Sequence, residues 1–486
     1  MTIKSNYDIL VVGSGTGGAA ISKFLSERGL STVMVDRQKR DEIHKICGDA
    51  TSLIHFTRVS ERDPDKKNHI DPPSKANGEL HQVLRGFSFF NPHGQRYDIP
   101  SDGDGWIIAR DKFTARLIQE AEDAGVEYYD ETTVRNPILE NDILKGMNLR
   151  TKEGELKDIR AKVVVDASGM AGIVRRQLDE QKAQWEALIR HYDLAAAYRE
   201  LIEFKEYTFE KPDHIELYFD TDNCPGGYFW AFPRGTDSAN VGIGIEPRKY
   251  EGGPRKAYDW WINHLSHMFG GKYEVIHKGG WNVPLRRPMD SLTWNGAVLI
   301  GDAGSCVKAT DGGGIGLSMI SASQATNPIV RAIEENDVTI SGPLWDYNVN
   351  FMRQTGAHEA PLALAKTEIT KASNRELNLI FENEVISAQD LYNLNAGRPI
   401  TSGFSITLKR VWRGKTILPF LLGVQRTMKK MKTVKQLYFE YPENPEDLKY
   451  WRQKISTIFK DKQRAKKYYA ETGKEPVATA NKSVPV

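Results

Sequence analysis

Short apolar runs punctuate the first 170 residues. Ile9-Leu10-Val11-Val12 is continuous, as expected for a strand covered on both faces. A glycine-dense turn follows, Gly13 to Gly18. Ala19, Ala20, Ile21, Phe24 and Leu25 then recur near helical spacing until Gly29 ends the pattern. Residues 32–35 predict a second short strand that ends at Asp36, and residues 110–125 read as a helix. Val163-Val164-Val165 and Ala297-Val298-Leu299-Ile300 are two more buried-strand runs, each followed by a Gly/Asp turn. Between about 190 and 285 the period changes to two. Ile215-Glu216-Leu217-Tyr218-Phe219 and Val241-Gly242-Ile243-Gly244-Ile245 predict an antiparallel sheet. After Pro343 the pattern is helical. Residues 63–77 are charged and rich in Pro, which reads as a surface excursion, and the polar stretch after Thr472 reads as a flexible tail. No repeat of 20–50 residues is visible, which excludes the common solenoids. The pattern predicts an α/β protein. Residues 1–60, 100–190 and 285–335 form a discontinuous first domain. Residues 61–99 and 191–284 form an inserted sheet domain, 336–471 a helical C-terminal region and 472–486 the tail.

The chain has 486 residues, 27% of them charged and 40% hydrophobic, as in ordinary folded proteins. The formal net charge of +2 points to neither nucleic acid nor membrane. Its distribution is uneven, however. Residues 409–467 carry a local +12, so the remainder sums to −10. Three cysteines, Cys47, Cys224 and Cys306, exclude a disulfide-built scaffold and favour a reducing compartment. The first residues lack the apolar core of a signal peptide. The apolar stretch 417–424 is too short to span a bilayer. The expected location is the cytoplasm. No metal-ligand spacing is present.

Gly13-Ser14-Gly15-Thr16-Gly17-Gly18 fits G-x-G-x-x-G. A strand precedes it, a helix follows it, and Asp36 ends the next strand 18 residues after Gly18. Gly13 permits the tight turn, Gly15 admits a pyrophosphate to the backbone, and Gly18 lets helix and strand pack closely. The helix N-terminus offers N–H groups and partial positive charge to phosphates. Asp36 would accept hydrogen bonds from an adenosine ribose. The fingerprint by itself leaves nicotinamide and flavin dinucleotides open.

Two later segments extend the pattern. Asp166-Ala167-Ser168-Gly169 lies midway; Gly301-Asp302-Ala303 comes late and precedes Gly312-Gly313-Gly314-Ile315-Gly316. Three marks in this order resemble the para-hydroxybenzoate hydroxylase-like flavoproteins. The resemblance implies a Rossmann-like FAD-binding domain carrying an inserted catalytic sheet. It implies that Asp302 binds the flavin ribityl hydroxyls. The helix start at Gly313, Gly314 and Ile315 would face the flavin ring, its partial positive charge favouring the reduced anion. Arg110, and Val134 on the strand after that helix, match two further FAD-contact positions. No second strand–glycine turn–helix unit with a downstream acid is visible. Electrons are therefore expected from a transiently docked NAD(P)H or a ferredoxin-like protein.

Lys45-Ile46-Cys47-Gly48-Asp49-Ala50 resembles the Cys-Gly loop of geranylgeranyl reductases, notably archaeal ones acting on membrane diether lipids. Pro225-Gly226-Gly227-Tyr228-Phe229-Trp230-Ala231-Phe232-Pro233 matches that family's Tyr-x-Trp-x-Phe-Pro stretch. A basic Met428-Lys429-Lys430-Met431-Lys432, followed by Leu437-Tyr438 and Tyr441-Pro442, agrees. The likeness runs from about residue 7 to 459 and is weakest between 54 and 103. Relatives often have Pro shortly before the triple glycine, where this chain has Lys308-Ala309-Thr310-Asp311. The resemblance implies an FAD-dependent reductase that saturates geranylgeranyl chains of membrane lipid precursors, with Cys47, Gly48 and Ala50 beside the cofactor. Rival readings are a flavin monooxygenase or halogenase, a quinone-linked dehydrogenase, and a non-enzymatic prenyl carrier of the same fold.

The residues fit that chemistry. Tyr228, Trp230 and Phe232 fall on one strand face and would make a flat apolar wall for an isoprenoid chain; equally, such a face can pack a core. An isolated alkene has no carbonyl to accept hydride density, so a proton must reach its other carbon in close coupling. Cys47 is the candidate proton donor or positioning group; alternatively it packs the loop and water supplies the proton. Cys224 and Cys306 read as structural. Leu421, Val424, Met428, Met431 and Val434 recur at helical steps, with Arg426, Lys429, Lys430 and Lys432 around them. This basic amphipathic helix could lie on an anionic lipid surface at the inner face of the membrane, or simply pack on the body.

Overall fold

The computed structural model describes residues 3–40, 46–178, 183, 185, 189–382, 418–461, 463, 464 and 466. The expected tail and residues 383–417 lie outside the described residues. The chain begins with β1 (Asn6–Val12), α1 (Thr16–Ser26) and β2 (Thr32–Val35). Next come β3 (Ala50–Ser52), α2 (Leu53–Glu61) and a long hairpin, β4 (Leu80–Phe90) with β5 (Arg96–Ile108). α3 (Arg110–Asp123) leads to β6 (Glu127–Tyr129), then β7 (Thr133–Glu140), β8 (Ile143–Arg150) and β9 (Leu156–Asp166). β10 (Leu194–Phe204), β11 (His214–Tyr218), β12 (Tyr228–Pro233) and β13 (Ser238–Ile245) follow, then α4 (Gly253–His264), α5 (Ser266–Phe269) and β14 (Tyr273–Pro284). β15 (Thr293–Trp294) and β16 (Ala297–Leu299) precede α6 (Ile315–Glu334). The described remainder is helical: α7 (Trp345–Phe351), α8 (Ala357–Ile369), α9 (Asn374–Glu382), α10 (Leu418–Phe439) and α11 (Leu448–Phe459).

The strands form two sheets. The first runs β15-β16-β9-β1-β2-β6, with β8 and β7 joined through β9. Its centre is parallel: β1 pairs β2 and β9 in that sense, and β16 pairs β9. Such strands are covered on both faces, which is why their apolar runs are continuous. Ile9, Leu10 and Val11 are fully buried. The second sheet runs β14-β10-β13-β12-β11-β4-β5-β3. It is antiparallel except where β11 meets β4. It also crosses the boundaries read at 60/61 and 99/100, since β3 belongs to it and β5 continues to Ile108. Val134, expected on the strand after α3, lies one strand later, on β7, because β6 intervenes.

The stretch 63–77 is not a plain surface excursion. Asp63 and Asn68 are buried. Asp63 Oδ2 accepts bonds from Arg28 (3.0 Å) and from the Lys67 and Asn68 amides (2.8 Å each). Asn68 Nδ2 donates to Ser323 Oγ at 2.9 Å. Satisfied polar side chains thus sew this segment between α1 and α6, which its charged composition concealed.

α8 and α10 pack antiparallel. Thr427 donates to Glu368 at one end, and the His358 and Phe439 rings meet at the other. Among the described residues no helix is long and apolar enough to cross a membrane.

Candidate active site

One continuous cavity of about 1380 Å³ runs from the glycine turn, between the two sheets, to α8 and α10. Its first end is the β1–α1 turn. Gly13 has φ +105°, and a Cβ there would sit 2.5 Å from the Ala167 carbonyl; one on Gly18 would sit 1.8 Å from the Gly13 carbonyl. Only glycine allows the two segments to touch. Ala167 is held in turn by its neighbour. The Asp166 carboxylate accepts from Ser168 Oγ (2.6 Å) and from the Val174 and Arg175 amides (3.0 and 2.8 Å), so it organises this loop. Asp36 lines the cavity and accepts from the Ser14 amide and hydroxyl (2.8 and 2.9 Å) and the Gln38 amide (2.9 Å). Gly15, Gly17 and Val134 line the same end.

The middle is built from the β16–α6 connection. Gly314 caps α6, and a Cβ on it would approach Asp302 Oδ1 to 3.0 Å. The carboxylate and the helix start, with Gly313 and Ile315, thus share one stretch of wall. α1 and α6 open side by side, joined by Thr16 Oγ1 and Ser318 Oγ at 2.8 Å. Two helix N-termini therefore direct partial positive charge into one space. Arg110 enters from the start of α3, its charge facing Cys47, Asp49 and Asp302. Its Nε is buried without a hydrogen-bond partner.

The Cys47 loop lies against β12. A Cβ on Gly48 would reach 2.8 Å from the Phe232 ring, so glycine is required for this contact. Tyr228, Trp230 and Phe232 line the cavity, their rings about 6 Å apart. The opposite face of β12 packs the core, where Phe229 stacks on Trp261 at 5.2 Å. Tyr228, Trp230 and Phe232 thus take the cavity face of β12, and Phe229 and Ala231 the core face. The Tyr228 hydroxyl donates to the Asp311 carbonyl at 3.0 Å, tying the wall to the Lys308–Asp311 loop.

Residues 8–177 match the family model of FAD dependent oxidoreductases, and residues 193–283 that of the geranylgeranyl reductase catalytic domain. A digeranylgeranylglycerophospholipid reductase of Sulfolobus acidocaldarius is 32% identical, over 93% of this chain and 97% of its own. The chain belongs to the geranylgeranyl reductase family. A Methanosarcina acetivorans digeranylgeranylglycerophospholipid reductase is 27% identical over 74% of this chain and 84% of its own. A geranylgeranyl bacteriochlorophyll reductase-like protein from Thermoplasma acidophilum has the same fold, with TM-score 0.72 and 22% identity over 86% of this chain and 99% of that one.

This geranylgeranyl reductase is thus an FAD-dependent oxidoreductase, not a prenyl carrier. The glycine-turn end and the middle of the cavity suit FAD: a cradle free of side chains at two helix starts, the carboxylates of Asp36 and Asp302 in its wall and the buried Arg110 Nε. Of the three cysteines, only Cys47 lines the cavity. Burial pushes the Cys224 thiol up to about 12 and that of Cys306 higher still. The far wall is α10 itself. Leu421 and Val434 are buried against the body, while Val424, Met428 and Met431 face the cavity and Lys429 and Lys430 face solvent.

Three groups escaped the sequence reading. Asn240 is fully buried and donates to the Cys47 carbonyl (2.7 Å) and Asp49 Oδ2 (2.8 Å), while accepting from Trp230 Nε1 (3.1 Å). An asparagine inside a strand carries no sequence signal for such a role. Asp49 stood inside the Cys-Gly motif but was masked by its neighbours. Glu359 on α8 is a half-buried acid whose Oε2 is buried and which faces Lys308 and Arg58, and no pattern announced it.

Proposed function

We propose that this reductase saturates C=C bonds of geranylgeranyl chains carried on a glycerol phospholipid. The observation that carries the reading is the cavity, which continues past the cofactor cradle as an apolar passage walled by Phe87, Phe219, Trp230, Leu377, Met428 and Met431. Bound FAD, once reduced, supplies a hydride equivalent to one alkene carbon. The protein's own part is to hold and exclude. Asp36 and the glycine turn would hold the dinucleotide at one end, with Asp302, Arg110 and the α6 start in the middle. The Tyr228–Trp230–Phe232 wall orients the chain and keeps water from it, and Cys47 stands where wall and cradle meet. The reductant is external, a nicotinamide or a ferredoxin-like protein. The basic face of α10 would meet an anionic lipid surface, each Lys or Arg adding about 1 kcal/mol.

The test is anaerobic. Holoenzyme is reduced chemically and mixed with digeranylgeranylglyceryl phospholipid, and the lipid is weighed by mass spectrometry. A gain of two hydrogens per double bond supports the reading; an unchanged lipid mass with flavin bound sinks it. Co-sedimentation with anionic vesicles that weakens with salt would support surface contact.

A further inference from the structure

The apolar cavity opens along a rim that carries cations from two helices. Lys432 and Lys435 are exposed on α10 and yet line the cavity; their spacing puts them one turn apart on the same side. Arg58 is half-buried on α2 and lines the cavity together with Ile54, one turn before it. The start of α8 joins the two helices. His358 feels the charges of Lys435 and Arg58, and its ring meets Phe439, over which the Lys435 ammonium lies at 5.8 Å. Among the described residues, Arg58, Lys432 and Lys435 have neither an ion pair nor a hydrogen bond. The acid that faces Arg58 is Glu359, which faces Lys308 as well, and Lys308 also pairs with Asp311 at 3.7 Å. Exposed lysines without partners are ordinary on a helix surface. In the wall of an apolar cavity they are not, because a charge there is costly unless water or a ligand meets it. Leu53, Ile54 and Phe439 are exposed around these cations. Apolar side chains beside snorkelling cations are the pattern that meets lipid chains and lipid phosphates together.

We propose that Arg58, Lys432 and Lys435 form a phosphate subsite that seats the head of the prenyl lipid while its chains run inward to the Tyr228–Trp230–Phe232 wall. The inference rests on the reading that prenyl lipids are reduced in this cavity, and adds where the lipid head sits. A guanidinium offers paired N–H groups to phosphate oxygens, and two ammonium groups one turn apart add point charges. A free phosphate ion has the same chemistry, but the apolar passage behind the subsite suits a phosphate with a chain attached. Lys429 and Lys430, on the same helix, face solvent and take no part. With the head fixed, the distance of each alkene from the phosphate decides which one reaches the cofactor.

Arg58→Gln and the double variant Lys432→Gln/Lys435→Gln test this in holoenzyme. Lipids are presented in neutral detergent micelles, so no charged surface is present. The control is Lys449→Gln/Lys454→Gln, which removes exposed charges of α11 that do not line the cavity. The probes are digeranylgeranylglyceryl phosphate and digeranylgeranylglycerol, the same lipid without phosphate. Equilibrium binding, read by flavin or tryptophan fluorescence, needs no turnover. Wild type is expected to bind the phosphate lipid roughly tenfold or more tighter than the alcohol. R58Q and K432Q/K435Q should each lose roughly tenfold on the phosphate lipid and change less than about threefold on the alcohol, while the control matches wild type on both. Arg58→Lys, which keeps the charge, should recover part of the R58Q loss. In turnover by chemically reduced enzyme the loss should appear in KM, with kcat within about threefold of wild type. Inorganic phosphate at the lipid's own Kd should not compete; if it does, the site takes free anions and the proposal is overturned. Equal wild-type affinity for the two lipids overturns it, as do equal losses on both. So does a loss seen only on anionic vesicles, which would assign these cations to the membrane surface. If phosphate-dependent binding holds but the bound lipid gains no hydrogen, the reductase reading has failed and the subsite stands. If wild type saturates both lipids with equal KM, the subsite has failed and the reductase reading stands.

Discussion

Replacing Asn240 by Ala removes three hydrogen bonds in one step. It strips the partner from the Trp230 indole N–H (3.1 Å), the Cys47 carbonyl (2.7 Å) and Asp49 Oδ2 (2.8 Å). The site is fully buried, so water does not replace them easily. Two neutral bonds at about 1 kcal/mol each and one to a carboxyl at about 2 kcal/mol give a loss of about 4 kcal/mol. That is a large share of the roughly 5–15 kcal/mol a folded protein has in hand. The loss also depends on pH. Asn240 holds the Asp49 carboxyl down, so its removal raises that group further above about 6. A carboxyl raised in the folded state loses stability as pH rises through its folded value, so the deficit should widen from pH 4 to pH 8. Urea melts at fixed FAD concentration measure both effects. Trp230→Phe removes the indole N–H together with part of the ring, and with that packing loss common to both backgrounds Asn240→Ala should cost about 1 kcal/mol less in it. A loss below about 1 kcal/mol, or a deficit that narrows with rising pH, would refute the claim that Asn240 joins the Cys47 turn to the aromatic wall.

Other consequences can be checked separately. Asp302→Ala should weaken FAD binding roughly 10- to 100-fold, measured by fluorescence titration of the apoprotein, because a carboxylate partner worth about 1.5–3 kcal/mol is lost. Met431→Trp should fill the far end of the cavity and lower turnover of twenty-carbon prenyl lipids more than that of ten-carbon analogues, read as a ratio of kcat/KM values. Asp98 accepts from Ser88 (2.6 Å), Arg96 (2.8 Å) and Lys211 (2.6 Å). Burial opposes its ionisation, but the Lys211, Ser88 and Arg96 bonds outweigh burial and hold the carboxyl below its usual range. Asp98→Asn should cost about 1 kcal/mol at neutral pH, discounted because the side chain is 32% exposed, and the difference should begin to shrink as pH falls below about 4 and close only as pH falls through the lowered folded value.

The local chemistry of the dinucleotide end was legible in the chain because it obeys short-range rules. A parallel strand buried on both faces must be continuously apolar, and a turn where backbones touch must be glycine; Ile9 to Gly18 satisfies both. Period-two alternation likewise announced β11 to β13 and set Tyr228, Trp230 and Phe232 on one face. Which face met a cavity was not written there, since an aromatic stripe against a core and one against a ligand have the same period. The same holds for α10, whose apolar positions divide between the body and the cavity only once α8 is packed beside it. Asp63 and Asn68 looked like surface residues until Arg28 and Ser323 came from distant segments to satisfy them. Asp49, Asn240, Arg199 and Arg110 come from four separate stretches of chain. Their charges and hydrogen bonds have meaning only after folding excludes water around them, and that is a property of the tertiary structure alone.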